Sequence, residues 1–527
     1  MRVDVLVAEI GSTVTKVHAF RDLDSRRPRW LGSGSAPTTV RQGDVTVGLR
    51  RATAELASRL GEPVEWGRML AASSAAGGLR MSVHGLVRDM TVRAAREAAL
   101  GAGAILDLVT AGPLGPTEVD LLRRLEPGIV LLAGGVEDGD REVVVHNARA
   151  VASSGVRAPV VYAGNSAARE EAVSALRRAG LEVTVVANVY PRLDQLEVEP
   201  ARRAIQEVFE RHIVAAPGME RVRDLVGGTI RPTPGAVMQA ARALRSSLGD
   251  LVVLDVGGAT TDVHSVTEGS TEVRRLLVHP EPVAKRTVEG DLGVYVNARN
   301  VVRLAGEEEV AAYMATLGWR PPGGSDGGVL PDPPGGSGAG GPGGGVLPDP
   351  PAAARAVRDL LDRLEPMPPE RTEPEQAFLV EALAWIAAET ALLRHAGRLH
   401  FLFGPAGRLT VAEGKDLTEV EWLIGTGGPL TRFPHGRRTL SRLAGMAPGR
   451  VEARVRRGGS GAGPVSGSAG PPGGYLLPGS GARPLLDSRY VLAVLGVLHD
   501  EYPEAAEVLL RESFPDRPGD GGGLPRG

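Results

Sequence analysis

The stretch that decides the fold is residues 255–262, Asp-Val-Gly-Gly-Ala-Thr-Thr-Asp, which follows the apolar run 251–254. Near the N-terminus, residues 9–16 read Glu-Ile-Gly-Ser-Thr-Val-Thr-Lys and follow a largely apolar run at 3–7. Each reads as a strand, an acidic residue, a glycine turn with hydroxyl residues, and a second strand. Glycine lets the backbone approach an anion closely, so N–H and hydroxyl groups can bind phosphate oxygens. Two matched hairpins predict a nucleotide between two related lobes, whereas either one alone is compatible with an ordinary glycine hairpin.

The composition excludes several classes of protein. The 527 residues suit two to four domains. The formal net charge of −3 gives no broad attraction to nucleic acid or to an anionic membrane. The absence of cysteine excludes disulfides, thiolate metal sites and a cysteine nucleophile. We identify no apolar run long enough to span a bilayer and no signal-peptide pattern, so we expect a cytoplasmic protein.

Alternating strand and helix patterns predict an α/β protein with several segments. A Gly, Ser and Pro-rich duplication at 321–351 interrupts the second lobe and is predicted to be disordered. The inserted subdomain has the rhythm of a small parallel sheet and, by its position, is the candidate for partner docking. The expected segments are a first lobe at 1–76, an inserted α/β subdomain at 77–230, a second lobe at 231–456, a flexible linker at 457–474, C-terminal helices that return to the first lobe at 475–514, and a disordered tail at 515–527.

A third glycine turn, Gly425-Thr426-Gly427-Gly428, follows the strand pattern at 420–424. The missing side chains would let a base and ribose lie against the backbone. The order of the three turns, two for phosphate and one for adenosine, resembles that of the actin, heat-shock chaperone and sugar-kinase superfamily. In that fold two RNase H-like lobes close over ATP and Mg²⁺. The resemblance implies that residues 234–248 and 487–498 form the two helices that cross at the hinge.

Longer stretches resemble the glutamate mutase accessory protein family MutL, also called GlmL, which is distinct from the mismatch-repair protein of the same name. Together they span most of the chain outside the Gly and Pro-rich segments. The stretches are Val-Ala-Glu-Ile-Gly-Ser-Thr at 7–13, Ala-Ser-Ser-Ala-Ala-Gly-Gly-Leu-Arg-Met at 72–81, Leu-Leu-Ala-Gly-Gly at 131–135, Asp-Val-Gly-Gly-Ala-Thr-Thr-Asp-Val-His-Ser at 255–265, Arg-Thr-Val-Glu-Gly-Asp-Leu-Gly at 286–293 and Ile-Gly-Thr-Gly-Gly-Pro-Leu at 424–430.

This resemblance implies a slow ATPase that reactivates an adenosylcobalamin-dependent mutase by releasing damaged cobalamin from it. The implied cofactors are ATP or ADP and Mg²⁺, and the implied partner is a mutase subunit, with a homo-oligomer possible. No nucleic-acid or membrane partner is expected. Two alternatives stay open: a small-molecule kinase on the same fold, and a filament-forming relative of actin.

Individual site residues follow from the resemblance, position by position. Glu9 and Asp255 would hold Mg²⁺, directly or through water. Asp262 would either orient the attacking water or cap its own turn, and Glu289 and Asp291 would belong either to the site or to a surface turn. The groups that would contact the nucleotide are Gly11, Ser12, Thr13 and Lys16 at the β- and γ-phosphates, Gly257, Gly258, Thr260 and Thr261 on the other phosphate side, and Gly425, Thr426, Gly427 and Gly428 at adenosine.

Overall fold

The structure is a computed structural model that describes most of the chain. The described residues are 1–11, 14–39, 43–74, 79–102, 104–193, 195–212, 221–226, 230–320, 350–365, 372–404, 407–447 and 474–514. Some predicted features lie outside these residues, namely Ser12 and Thr13, residues 75–78, residues 321–349 of the interrupting segment, residues 457–473 of the linker and the tail 515–527.

The described residues form seventeen strands and seventeen α-helices. The strands are β1 (Arg2–Ile10), β2 (Val14–Arg21), β3 (Arg29–Pro37), β4 (Glu65–Ser73), β5 (Leu79–Gly85), β6 (Ala104–Ala111), β7 (Ile129–Leu132), β8 (Val160–Tyr162), β9 (Val183–Val185), β10 (Ile230–Pro232), β11 (Leu251–Val256), β12 (Thr261–Val266), β13 (Ala284–Glu289), β14 (Arg398–Gly404), β15 (Gly407–Glu413), β16 (Trp422–Thr426) and β17 (Arg483–Leu486). The helices are α1 (Val45–Leu60), α2 (Arg93–Gly101), α3 (Pro116–Leu125), α4 (Glu142–Ser153), α5 (Arg169–Arg178), α6 (Val198–His212), α7 (Val222–Leu225), α8 (Thr233–Leu248), α9 (Thr271–Arg274), α10 (Ala298–Ala305), α11 (Glu307–Thr316), α12 (Pro350–Asp362), α13 (Pro374–His395), α14 (Gly428–Thr431), α15 (Gly436–Leu443), α16 (Leu492–Leu498) and α17 (Pro503–Ser513).

The chain divides into two compact units. Unit 1 contains Met1–Leu248, the short segment His279–Arg286 and the described part of Val491–Gly527. Unit 2 contains Gly249–Val278 and Thr287–Tyr490. Each unit therefore holds one of the two glycine hairpins that the sequence suggests.

The same five-stranded sheet occurs once in each unit. Its strand order is β10-β4-β1-β2-β3 in unit 1. In unit 2 the order is β17-β16-β11-β12, followed by β13, of which Thr287–Glu289 belong to this unit. In unit 1, β1 pairs antiparallel with β2 and parallel with β4. In unit 2, β11 pairs in the same way, antiparallel with β12 and parallel with β16. A further parallel strand, β10 or β17, completes that side. This duplication confirms the expected α/β fold class of two related, RNase H-like lobes of the actin-like type.

Helix α1 shows how one such sheet acquires its core. Asp44 caps the helix by accepting a hydrogen bond from the Thr46 N–H, and the helix ends at Gly61 in the left-handed conformation. Its buried residues include Leu49 and Leu56, which are spaced to form one apolar face. At Gly34 of β3 an added Cβ would lie 2.2 Å from a carbonyl oxygen of this helix, so glycine permits the close packing.

Unit 1 also contains the inserted subdomain as a third five-stranded sheet. Its order is β6-β5-β7-β8-β9, and all its neighbouring strands are parallel. Helices α4 and α5 belong to this part and bury Val144, Val145, Val173 and Leu176 in the core they share with β7 and β8. A parallel sheet in this segment was predicted, and the structure confirms it.

Helix α13 forms the centre of the apolar core of unit 2. It is long and apolar enough to cross a membrane by length and composition, and 83% of its most apolar window is buried inside the protein. No membrane-spanning run was expected from the sequence, and Glu381 and Glu389 interrupt the apolar residues of this helix. Both glutamates are buried, so α13 is a helix of the core of unit 2.

Helices α8 and α16 pack against each other in unit 1. Gly496 makes this close contact possible, because an added Cβ would lie only 1.8 Å from the carbonyl oxygen of Ala236. The second of these helices begins at Leu492, five residues later than expected, and β17 occupies part of the segment for which helices were predicted. The delay has a local cause: the Asp487 N–H is bonded to the Gly425 carbonyl, and Tyr490 has a φ of 56°.

Candidate functional site

The second glycine turn, defined here as residues 257–260, joins β11 to β12. Asp255 lies opposite Asp262 and Val256 lies opposite Thr261 in the antiparallel register. The turn is closed by a hydrogen bond of 2.9 Å from the Gly257 N–H to the Thr260 carbonyl. A short connection of this kind keeps the two strands of the hairpin in register.

The first glycine turn has the same construction in unit 1. Glu9 lies opposite Lys16, and the Gly11 N–H donates to the Val14 carbonyl at 3.0 Å. Position by position, Glu9 therefore corresponds to Asp255, Gly11 to Gly257 and Lys16 to Asp262. The matching register strengthens the prediction that both hairpins serve one kind of ligand.

The two hairpins differ in the charges that face each other across the strands. Directly opposite residues of an antiparallel pair have Cβ atoms roughly 5 Å apart. Unit 2 places two carboxylates there, whereas unit 1 places a carboxylate and an ammonium. The Asp262 side chain is buried and accepts a hydrogen bond of 3.2 Å from the Thr260 hydroxyl, and Asp255 is half-buried. An added cation would relieve the repulsion at the Asp255–Asp262 pair but has no such role at Glu9 and Lys16.

The third turn adjoins the second within unit 2. Strands β11 and β16 pair in parallel with Asp255 beside Thr426, so the two turns leave the same edge of the sheet. At Gly427, φ is +87°, and an added Cβ would lie 2.1 Å from the Val256 carbonyl and 2.8 Å from Asp255 Oδ1. An added Cβ at Gly428 would meet nothing within 4 Å. The carboxylate proposed for metal and the open Gly428 backbone are thus brought together.

The first half of the third turn lies in the core. Gly425 is enclosed by side chains of α14, α15 and β17, the nearest of which would be 2.8 Å from an added Cβ. The Thr426 hydroxyl donates to the buried Asp487 at 3.0 Å. Among the four residues predicted at adenosine, Gly428 is half-buried with open space beside it, whereas Gly427 is buried and its carbonyl accepts from the Leu430 and Thr431 N–H groups. The side chain of Thr426 anchors β16 to the end of β17.

The second turn is supported by the chain that follows β13. The Thr261 hydroxyl donates to the Leu292 carbonyl at 2.7 Å. In unit 1 the corresponding Thr15 hydroxyl is bonded to the Thr38 hydroxyl, which in turn donates to the Gly11 carbonyl at 2.8 Å. Each turn is thus braced by a threonine on the second strand of its hairpin.

The acidic residues that the sequence left unassigned form an ion-pair cluster in unit 2. Arg394 contacts Glu289 at 2.6 Å and Asp291 at 2.8 Å. Burial raises the pKa of Glu289, and the charges of Asp291 and Asp262 act in the same direction while Arg394 opposes them. Glu289 is largely buried in this cluster, whereas Asp291 lies in a turn with its side chain 46% exposed, so both alternatives stay open for the pair. The sequence offered no signal for Arg394, because it lies more than a hundred residues later on α13.

The residues present fit a magnesium nucleotide better than a metal site made of protein alone. Across the described ranges no group of three or more His, Asp or Glu side chains could hold a metal ion. Mg²⁺ commonly binds one or two carboxylates together with phosphate oxygens and water. Asp255, beside two glycine turns and opposite a second carboxylate, offers this donor set. When bound, the ion would neutralise part of the phosphate charge.

Similarity to known proteins extends over most of the chain. The family described as MutL protein matches residues 5–514. Protein MutL of Clostridium tetanomorphum is 36% identical over 434 residues, which cover 81% of this chain and 86% of that protein. Among solved structures, the nucleotide-free diol dehydratase-reactivating factor is 13% identical with a TM-score of 0.31, covering 95% of this chain and 100% of that one. Component A of (R)-2-hydroxyglutaryl-CoA dehydratase from Acidaminococcus fermentans is 9% identical with a TM-score of 0.28, covering 95% and 98%. The family match and the extent of identity to Protein MutL establish that the chain belongs to the MutL protein family.

Proposed function

We propose that the chain is an ATP-binding accessory protein that reactivates an adenosylcobalamin-dependent mutase. The observation that carries the proposal is the duplicated hairpin, with the same register and the same turn hydrogen bond in both units. Membership of the MutL family gives the accessory role its support. A cytoplasmic location and the absence of nucleic-acid or membrane partners belong to the same proposal.

The proposed roles of the residues follow the geometry. Asp255 is the principal carboxylate for Mg²⁺, and Asp262 positions the attacking water. Backbone N–H groups of the second turn bind phosphate, and Gly427 and Gly428 lie against adenosine. Glu9 is a weaker metal ligand, because Lys16 lies opposite it. We propose that Lys16, together with Gly11, Ser12 and Thr13, contacts the β- and γ-phosphates.

ATP can act on a partner only if it favours one conformation of the protein over another. We propose that binding and hydrolysis of ATP shift the populations of two states, of which one opens the mutase and lets damaged cobalamin leave. The ATPase is therefore expected to be slow and to depend on the partner.

A reconstitution experiment tests the proposal. A purified adenosylcobalamin-dependent mutase carrying hydroxocobalamin is mixed with the chain, ATP, Mg²⁺ and free adenosylcobalamin, and mutase activity is followed. We expect recovery with ATP and none without it. The Asp255→Asn variant should fail, and Glu272→Gln, which changes an exposed acid of the same unit, should behave as the wild type. Phosphate transfer from ATP to a metabolite instead of water would favour the kinase alternative and would contradict the proposal.

A further inference from the structure

The carbonyl groups of Gly257, Gly258 and Ala259 in the second turn all accept hydrogen bonds from one neighbouring segment, the strap, defined here as residues 294–297. The Val294 N–H donates to the Gly257 carbonyl at 3.2 Å. The N–H groups of Tyr295 and Val296 both donate to the Gly258 carbonyl, at 3.0 and 2.8 Å. The Asn297 side-chain amide completes the set by donating to the Ala259 carbonyl at 2.7 Å.

This arrangement fixes the direction of the N–H groups in the turn. In a trans peptide the carbonyl of one residue and the N–H of the next point in opposite directions. Three successive carbonyls face the strap, so the N–H groups of Gly258, Ala259 and Thr260 face away from it. No acceptor among the described residues takes a hydrogen bond from these three groups. They are half-buried and remain available to an external anion.

The Asn297 side chain binds neighbouring loops and does not cap the helix at whose start it lies. It occupies the N-cap position of α10, where asparagine normally accepts a hydrogen bond from the first turn, yet its side chain makes no capping bond. Its amide instead donates to Ala259 and also to the Gly290 carbonyl at 2.8 Å, and its Oδ1 accepts from Asn300 at 3.3 Å. The two hydrogen bonds that its amide donates thus join the second turn to the loop after β13.

Two glycines show that the fit between turn and strap is tight. An added Cβ at Gly293 would lie 2.2 Å from the backbone of Ala259, and one at Gly258 would lie 3.2 Å from the Tyr295 ring. A side chain at position 293 would therefore clash with the backbone of the turn, and one at position 258 would make the Tyr295 ring shift. The turn has little freedom to rotate its peptide planes while the strap is in place.

We propose that Asn297 is a positioning residue that holds the N–H groups of Gly258, Ala259 and Thr260 toward the phosphates of the nucleotide. The inference rests on the proposed ATP-binding function and names a residue that acts through the turn without touching the ligand. Loss of its amide would allow the Ala259–Thr260 peptide to rotate. The phosphates would then lose a donor, while contacts to adenosine would be unaffected.

The test is the Asn297→Asp substitution, which keeps the size and the helix-capping ability of the side chain but removes its N–H donors. Affinities for ATP and for adenosine are measured by calorimetry. Because one hydrogen bond to a charged group is lost, we expect ATP to bind at least roughly tenfold more weakly and adenosine to bind as before. Equal weakening of both ligands would indicate a general structural role and would overturn the inference.

Asn165→Asp is the matched control. Asn165 is buried and its amide also donates to two loop carbonyls, those of Gly139 and Asp140, within the inserted subdomain of unit 1. Its substitution should lower stability without changing the affinity for ATP. If the wild type itself does not bind ATP, the proposed function fails, whereas unchanged ATP binding by Asn297→Asp sinks only the role of Asn297.

Hydrogen exchange of the wild-type protein gives a second measurement that does not depend on a folded variant. The amides of Gly258, Ala259 and Thr260 should exchange rapidly without nucleotide and be protected by ATP. Protection that is already present without ATP, or that does not change on adding ATP, would show that the strap does not present these groups to a ligand.

Discussion

The two glycine hairpins have the same backbone and opposite electrostatics. Both close with one hydrogen bond from the first glycine N–H to a carbonyl three residues later. Across the strands, however, Glu9 faces Lys16 in unit 1, whereas Asp255 faces Asp262 in unit 2. Opposite charges thus face each other in the first pair, and like charges face each other in the second. The proposed Mg²⁺ site therefore belongs to only one of two hairpins that share a backbone geometry.

The two copies are also extended at different points. In unit 1 a single helix joins the third and fourth strands, and the inserted parallel sheet follows the fourth. In unit 2 the corresponding extension, including α13 and the β14–β15 hairpin, precedes the fourth strand. Extensions at these connections leave the paired strands undisturbed, which explains how both sheets keep the same order.

The largest loss of stability is expected where Gly427 of the third turn packs against the end of β11. Gly427→Ala introduces a side chain at positive φ and against the Val256 carbonyl, so the free energy of unfolding should fall by roughly 3 kcal/mol. Gly428→Ala, in open space, should change it by less than roughly 1 kcal/mol. Urea unfolding measures both. Equal losses would show that the two turns do not approach as closely as described.

The charge difference between the hairpins is tested by neutralising one acid in each. Asp255→Asn should slow ATP hydrolysis by roughly a hundredfold, because transition-state charge is no longer balanced as well. Glu9→Gln should slow it by less than roughly tenfold, because Lys16 already offsets its charge. Steady-state phosphate release at saturating Mg²⁺ measures both rates. A larger effect of the Glu9 substitution would reverse the assignment.

Acidification should lower the stability of the inserted sheet through the buried residue His84. His84 is buried between Thr110 and Ser82, and burial lowers its pKa to about 4. In the unfolded chain a histidine titrates near 6.5, so the unfolded state binds the proton first as the pH falls. The stability contribution is therefore complete above about pH 6.5 and declines toward pH 4.

This effect is measured as the free energy of unfolding at pH 7.5 and 5.5. The wild type should lose about 1 kcal/mol more between these values than His84→Asn, according to the linkage between pKa and stability. The affinity of the variant for ATP should equal that of the wild type. An identical pH dependence of both proteins would mean that His84 is not kept neutral by its surroundings.

The smallest changes in the free energy of unfolding are expected when one charge is removed from each hairpin, and the two changes should have opposite signs. Without Mg²⁺, Asp262→Asn should raise the free energy of unfolding by roughly 0.5 kcal/mol, because it removes a like-charge pair. Lys16→Gln should lower it by a similar roughly 0.5 kcal/mol, because an opposite-charge pair is lost. Thermal unfolding in a chelator reports both changes. The same sign for both variants would contradict the electrostatic contrast.

The sequence predicted helices and strands best where a motif lies next to a regular spacing of apolar residues. Helix α8 was expected at 234–248 and is found at Thr233–Leu248. In the inserted sheet, β7 and β8 are short apolar runs whose residues are all buried, whereas β6 lies at the edge. Most side chains of that edge strand are only partly buried, so its pattern is neither alternating nor continuously apolar.

Some contacts of the candidate site could not be predicted from the local sequence, because they join residues that are distant along the chain. Thr426 was expected at adenosine, but its hydroxyl bonds to Asp487, and Gly425 packs in the core. Asn297 and Arg394 were not anticipated, because each acts on residues that are distant in sequence. Their types, an amide at a helix start and an arginine at a helix end, are ordinary at such positions and give no signal by themselves.

The sequence by itself determined the three glycine turns, their order and the family to which the chain belongs, because these depend on residue types at fixed local spacing. The tertiary structure alone decided which groups face each other. Cross-strand register set Lys16 against Glu9 and Asp262 against Asp255, and the strap turned three N–H groups outward. Register and close packing arise from contacts between distant segments, so neighbouring residues in the chain cannot reveal them.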